Sequence, residues 1–183
     1  MINRRGKLPN RLIVLIAGAV ALAILGYSGK PAATPNPVAA PIVTELASAA
    51  CQARGVLPSA SCTPGAASPL VTQGNLAQTI CVSGYTKTVR PPVSYTNPLK
   101  AQQMLQYGFT DSIHLHEEDH LISLEIGGAP SDPKNLWPEP GQSPNPKDKV
   151  ENFLHAEVCN GRITLKDAQD RIATDWTTAE RGL

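Results

Sequence analysis

The longest apolar stretch of the chain lies near its amino terminus and follows a cluster of basic residues. Residues 12–25 form an uninterrupted apolar run. This length falls between the core of a secretory signal peptide and a membrane span of about 20 residues. We therefore predict a signal peptide or signal anchor over residues 1–29. Either one places the rest of the chain outside the cytoplasm, since the positive end stays inside.

A segment rich in proline and alanine follows the apolar run. Residues 30–45 have the composition of a linker. Residues 46–183 then have the length of one domain, with no internal repeat.

Three segments of this domain place apolar residues at the spacing of a helix. We predict helices over residues 97–109 and 146–159, and a last helix capped by Thr164 with Asp167 at its third position. Gly161 ends the second helix. The residues expected to face the core are Val150, Phe153, Leu154, Val158, Leu165, Ala168, Ile172 and Trp176.

A shorter region alternates apolar and polar residues with a period of two. Ile113 to Glu118 shows this alternation, which is typical of a half-buried strand, and residues 121–126 offer a second apolar run. Gly127 and Gly128 supply a tight turn. Short strands are also expected near Ile80 and Val89. Helices combined with a small hairpin predict an α+β domain.

The mouth of the predicted hairpin carries two adjacent residues with different chemistry, Asp119 and His120. A carboxylate can hold a hard divalent ion such as Mg²⁺, which polarises phosphoryl oxygens. A neighbouring imidazole can take a proton from an attacking water at neutral pH. Hydrolysis of a phosphodiester bond needs both groups.

This motif resembles that of the HNH, or His-Me finger, endonuclease superfamily. The matching residues are Asp119, His120, Gly127, Gly128, Asn135, Leu136 and Asn145. Residues 117–155 are most similar to zinc-free bacterial members, and residues 81–90 resemble the upstream part of the same group. The similarity covers about half of the chain. The paired Cys-x-x-Cys zinc ligands of many HNH proteins do not occur in this sequence.

The resemblance implies a fold and a set of roles. The fold is a ββα-metal core, a hairpin followed by a helix. We expect this core to lie in a disulfide-stapled domain with the additional helices that the periodicity predicts. Asp119 would be a metal ligand and His120 the general base. Asn135 would stabilise the loop and orient the base, and Asn145 would complete the metal site. The metal would be one divalent ion, Mg²⁺ by default, with Mn²⁺, Ni²⁺ or Zn²⁺ as alternatives.

Several of these residues have a simpler structural interpretation. Asn145 precedes Pro146, with Asp148 three positions on, which is the ordinary start of a helix. Asn135 follows Asp132 and Pro133 and suits a turn. The sequence leaves the capping and ligand roles of Asn145 open.

Substrate contacts are expected from basic residues near the motif. Arg90, Lys147 and Lys149 can contact phosphate, or can simply form a solvated surface. The formal net charge is only +1, which excludes a broad basic surface for tight nucleic-acid binding. The sequence contains no recognisable groove-reading module, so low sequence specificity is expected.

All four cysteines lie beyond the apolar run, and an even number in an exported chain indicates disulfides. Of the three possible connectivities we favour Cys51 with Cys62, a local loop, and Cys81 with Cys159, at the end of the long helix.

The sequence thus predicts a secreted, periplasmic or membrane-anchored hydrolase that cleaves DNA or RNA. Contact with the membrane would come only through the amino-terminal segment, if it is not cleaved. The main alternative is an envelope protein that uses the same scaffold for binding without catalysis. A phosphodiesterase for a small nucleotide would need an enclosed pocket.

Overall fold

The computed structural model describes residues 51–183, which belong to one compact unit. The predicted signal or anchor at residues 1–29 and the linker at residues 30–45 lie outside the described residues. Within residues 51–183, no helix is both long and apolar enough to cross a membrane.

The unit consists of helices around a small antiparallel sheet, which confirms the α+β class. The α-helices are α1 (Tyr85–Val89), α2 (Val93–Gln106), α3 (Pro146–Cys159) and α4 (Leu165–Asp175). The strands β1 (His116–His120) and β2 (Leu136–Pro140) pair with each other. Short 3-10 helices occupy Leu76–Gln78, Ile113–Leu115, Leu124–Ile126 and Trp176–Thr178.

The two carboxy-terminal helices begin where their capping residues predict. Asn145 and Asp148 form a reciprocal capping box at the start of α3, with Pro146 in its first turn. The Thr164 side chain accepts a hydrogen bond from the backbone N–H of Asp167 and starts α4. These caps satisfy backbone donors that have no partner inside the helix.

The main hydrophobic core lies between α3, α4 and the segments around residues 71–81 and 122–126. Leu154, Ala168 and Ile172 are fully buried there, and Val158, Leu165 and Trp176 are nearly so. The apolar stripes predicted for the last two helices therefore face the core. A second cluster joins Cys51, Tyr107 and Trp137.

The strand predicted over residues 113–118 is confirmed only in part, because Ile113–Leu115 forms a 3-10 helix and β1 spans His116–His120. The other predictions of extended structure were wrong. Ile80 lies in a turn and Val89 ends helix α1. The apolar run at residues 121–126 forms a loop with one 3-10 turn, and the partner of β1 is the later segment β2. The apolar side chains of residues 121–126 are buried in the core although their backbone is irregular. A short apolar run of this kind has the same composition as a buried strand, which is why a strand was predicted.

Helix α2 also differs from its prediction, because it begins at Val93 and includes Pro98. A proline within the second turn removes one backbone donor but does not end the helix here. The prediction took Asn97 and Pro98 as the start of the helix, so the predicted helix begins four residues after Val93.

The loop between β1 and β2 depends on its two glycines. Gly127 has a φ of +75°, in the left-handed region. A Cβ on Gly128 would lie 1.7 Å from the carbonyl oxygen of Ile122, so no other residue fits this position.

Both predicted disulfides are present, Cys51–Cys62 and Cys81–Cys159. They indicate a compartment more oxidising than the cytoplasm. The second bond joins the segment before α1 to the last residue of α3.

Removing the long-range disulfide should destabilise the protein more than removing the local one. The sequence separations are 78 residues for Cys81–Cys159 and 11 residues for Cys51–Cys62. The loop-entropy relation then assigns about 4.5 and about 3 kcal/mol to the free energy of unfolding. Denaturant titration of the two double-alanine variants measures both losses. A larger loss for the Cys51–Cys62 variant would contradict this order.

Candidate functional site

The hairpin and the first turns of α3 form a polar cleft of about 280 Å³. Asp119 and His120, the last two residues of β1, both line it. Arg90, which directly follows α1, lies in its wall. The cleft therefore gathers three of the residues that the sequence singled out.

His120 is held in one orientation by the loop between the strands. Its side chain is almost entirely buried, and Nε2 lies 2.9 Å from the carbonyl oxygen of Pro130. A carbonyl only accepts, so Nε2 carries the proton, and Nδ1 of the neutral ring has a free lone pair. Burial lowers the pKa of His120. The neutral form, which can act as a base, is therefore favoured near pH 7.

Asn135 fixes the loop that holds His120. Its buried side chain makes four hydrogen bonds to the backbone: Oδ1 accepts from the N–H of Ile122 and Ala66, and Nδ2 donates to the carbonyls of Ile122 and Ala129. Ala129 directly precedes Pro130, so the same side chain fixes the carbonyl that orients His120. These contacts stabilise the loop, while orienting a catalytic base stays a prediction for Asn135. Its backbone N–H closes a turn with the carbonyl of Asp132, but its side chain does not bond its own backbone.

Lys147 is the least expected member of the site, because its side chain is only 1% exposed. Its ammonium donates to Asp119 Oδ2 and to the carbonyl oxygen of His120, both at 2.8 Å, and to Glu151 Oε1. Burial alone would lower the pKa of Lys147, but the carboxylates of Asp119 and Glu151 raise it above its ordinary value. The ammonium stays charged and joins α3 to the end of β1. It does not reach the surface where a phosphate contact would form.

Asn145 is the N-cap of α3, as the capping interpretation predicted. Its Oδ1 accepts from the N–H of Lys147 at 2.8 Å, and its Nδ2 donates to Glu117 Oε2 at 3.2 Å. The amide oxygen keeps a second lone pair. A ligand role for Asn145 stays a prediction.

Carboxylates outnumber cations around the cleft. The acidic residues that line it are Glu117, Asp119, Glu125, Asp148 and Glu151, and the basic one in the described lining is Arg90. Burial, and then the charges of Asp119 and Asp148, raise the pKa of Glu117. Burial also raises the pKa of Glu151. Such an excess of oxygen donors and negative charge favours a hard cation.

A buried carboxyl group lies beneath this cluster. Glu139 is 3% exposed, and its Oε2 has no hydrogen-bond partner. Burial, together with the charge of Asp119, raises its pKa. A protonated Glu139 reduces the repulsion among the carboxylates of the hairpin.

Glu118 points elsewhere and does not line the cleft. Both of its carboxyl oxygens are shielded from solvent and have no hydrogen-bond partner. Burial raises its pKa to about 8. Glu117, which lines the cleft, is therefore the better second candidate for a metal ligand.

The donor set of the cleft fits a magnesium-type ion that keeps much of its water. Asp119 binds Lys147 through Oδ2, and its carboxylate also takes part in a hydrogen bond with the carboxyl group of Glu139. Among residues 51–183, the only three histidine, cysteine or carboxylate ligand atoms within 4.8 Å of one another are those of Cys81, His155 and Cys159. Two of these are joined in a disulfide and cannot act as thiolate ligands. A Mg²⁺ ion needs only one or two protein carboxylates, because waters complete its octahedron.

The structure also shows what the sequence missed. Glu139 and Glu151 were not singled out, although the Lys147–Glu151 spacing of four residues is a common helical ion pair. The remaining predicted substrate residue, Lys149, is exposed on α3.

Comparisons with known proteins found no match, whether with a family model, with a curated protein or with a solved structure.

Replacing Lys147 should lower the stability of the protein, because its ammonium forms a buried ion pair, whereas replacing an exposed lysine should not. Lys147→Met keeps the length of the side chain but leaves Asp119 and Glu151 without their buried cation, which should cost about 3–5 kcal/mol of unfolding free energy. The matched control is Lys149→Met, an exposed neighbour, for which we expect a change within about 0.5 kcal/mol. Chemical denaturation measures both values. Equal stability of the two variants would exclude the internal ion pair.

Proposed function

We propose that this chain is a metal-dependent endonuclease of the HNH type that hydrolyses phosphodiester bonds in DNA or RNA. One observation carries the proposal: Asp119 and the buried base His120 line one cleft, at the end of a hairpin that is followed by the helix α3. We interpret this hairpin and helix as a ββα-metal core.

His120 would activate the attacking water through Nδ1. Its Nε2 proton is committed to Pro130, so a proton taken from water can reside only on Nδ1. The positive charge that then forms on the ring lies next to Asp119, which favours it. This arrangement gives the imidazole the orientation and the protonation state that a general base needs.

Asp119 would contribute a carboxylate oxygen to a divalent ion, with Asn145 or Glu117 as the next oxygen donor. The bound ion would supply Lewis-acid stabilisation of the negative charge that develops on the phosphoryl oxygens. Lys147 holds the other oxygen of Asp119. The carboxylate is therefore fixed before the ion binds, which reduces the entropy lost on binding.

Substrate binding in this cleft would rely on few cations. Arg90 lines it directly, and the exposed Lys149 lies further along α3. Both can contact phosphates, which position a nucleic acid without reading its sequence. Such sparse positive charge suits a nuclease of low specificity and moderate affinity.

We further propose that the protein is exported, so that it acts in a secreted, periplasmic or membrane-anchored form. Support comes from the two disulfides and from the amino-terminal sequence pattern.

A binding protein without catalysis is the second candidate. It is favoured by the ion pair of Lys147, which occupies one oxygen of Asp119, and by the lack of three converging acidic or histidine ligand atoms in the cleft as far as the structure describes it. Digestion of plasmid DNA and of RNA by the purified full-length chain decides between the two. The nuclease should cleave with Mg²⁺ or Mn²⁺, stop with chelator, and recover when the metal is restored. A folded protein that never cleaves would support the binding protein.

His120→Ala should reduce cleavage by about 10²- to 10⁴-fold, the contribution of a general base. Single-turnover cleavage of labelled plasmid measures the chemical step. His114→Ala is the matched control, because His114 is exposed and lies outside the cleft. An undiminished rate in folded His120→Ala would remove this residue from the mechanism.

Asp119→Ala should weaken metal binding and cleavage together, since it removes the carboxylate assigned to the ion. We expect a loss of affinity at least as large as the roughly 10- to 100-fold that an outer-shell partner costs. Titration calorimetry with Mn²⁺ measures the affinity. Glu118→Gln is the control, because this neighbouring carboxyl lies outside the cleft. Unchanged metal binding in Asp119→Ala would overturn the assignment and point to Glu117.

A further inference from the structure

A second cleft, of about 420 Å³, lies beside the first one and is the larger of the two. Glu125 and Asn152 line both clefts. Of the two clefts, only the second one is lined by Tyr85, on α1, and His155, on α3. We call this second cleft the side pocket. Its volume lies within the range of about 300–1,000 Å³ found for small-molecule pockets.

The walls of the side pocket are fixed by covalent and hydrogen bonds. His155 Nε2 donates to the carbonyl oxygen of Ile80 at 2.9 Å. The adjacent Cys81 is bonded to Cys159, one turn further along α3. The N–H of Tyr85 donates to the carbonyl of Val82 at 3.1 Å. A ligand would therefore enter a preformed site and would not have to order it.

The chemistry of the side pocket disfavours a phosphate and favours a flat, uncharged group. No lysine or arginine lies among the described residues that line it, and the carboxylate of Glu125 stands in the wall shared with the cleft. Tyr85 and His155 are the aromatic residues of the lining, and Val82 adds an exposed apolar side chain. Ser83, Thr86 and Asn152 add uncharged polar groups that can bond the edge of a base. Nucleobases stack on aromatic rings of this kind, regardless of sequence.

We propose that the side pocket binds one unpaired nucleobase of the substrate, next to the phosphate in the cleft. This inference rests on the proposed nuclease function and names its substrate class. A base can enter the pocket only after leaving the stack of a duplex, which costs free energy unless the strand is already single. The protein therefore prefers single-stranded nucleic acid, or single-stranded ends and loops.

The test compares one fluorescein-labelled oligodeoxycytidylate as a single strand and in a duplex, using the full-length chain. The wild type should cleave the single strand with the higher kcat/KM. Tyr85→Leu keeps an apolar side chain for the core but removes the aromatic ring. Stacking of one base contributes about 1–3 kcal/mol, so the KM for the single strand should rise about 5- to 150-fold.

Two further variants control for structural effects. Tyr85→Phe keeps the ring and should behave as the wild type does. Tyr95→Leu removes a tyrosine that lies outside both clefts and should leave both substrates unaffected. A preference for the duplex, an unchanged KM in Tyr85→Leu, or an equal loss on both substrates would overturn the nucleobase pocket.

A binding measurement without metal tests the nucleobase pocket independently of the proposed nuclease activity. Fluorescence anisotropy of the same single strand, measured in chelator, should show weaker binding to Tyr85→Leu than to Tyr85→Phe. If the wild type never cleaves but this difference is found, the nuclease fails and the nucleobase pocket stands. If it cleaves both substrates with chelator sensitivity and shows no such difference, the nuclease stands and the pocket fails.

Discussion

The geometry of the cleft depends on the buried ammonium of Lys147. This group links helix α3 to the end of β1. It donates hydrogen bonds to Asp119 and to the carbonyl oxygen of His120 in β1, and to Glu151 in α3 itself. A single charged group therefore positions the carboxylate of Asp119 and the backbone of His120. Burial of a lysine is costly unless its charge is compensated, and here two carboxylates compensate it. The same pairing holds Asp119 in one orientation.

His120 is fixed from its other side by the loop between the strands. The ring donates a hydrogen bond to the carbonyl of Pro130. The preceding residue, Ala129, is held in place by a hydrogen bond from the side chain of Asn135 to its carbonyl. Gly128 lets the loop close, since a Cβ there would collide with the carbonyl of Ile122. Gly128 and Asn135 thus act on His120 through backbone geometry. Their spacing in the sequence reflects one loop conformation.

These contacts explain how much could be predicted from the sequence. Local signals were sufficient for α3 and α4, because Asn145 and Thr164 cap them and apolar stripes face the core. They were also sufficient for the pairing of all four cysteines. For β1 they were sufficient only in part, because the alternation began at Ile113 and the strand begins at His116. The partner of β1 was missed because the apolar residues at 121–126 are buried from a loop, which periodicity does not distinguish from a strand.

The interior role of Lys147 could not be read from the sequence for a different reason. Lysine is almost always exposed, so burial is inferred only when its partners are known to converge. Asp119 lies 28 residues before Lys147, and the hairpin brings the two together. Glu151 alone gave a local signal, the i to i+4 spacing. The sequence therefore did not reveal the long-range pairing of charges, although it revealed helix capping and helical periodicity.

Helix α3 relates the two clefts to each other and to the core. Leu154 and Val158 face the core, while Asp148, Glu151, Asn152 and His155 follow one another at intervals of three, one and three residues and line the clefts. Positions separated by three, four and seven residues share one face of a helix. The cleft and the side pocket therefore lie along a single rigid element, whose ends are fixed by the Asn145 cap and by the Cys81–Cys159 bond. A strand that places its phosphate beside Asp119 and His120 would carry the adjacent base along this face toward Tyr85 and His155.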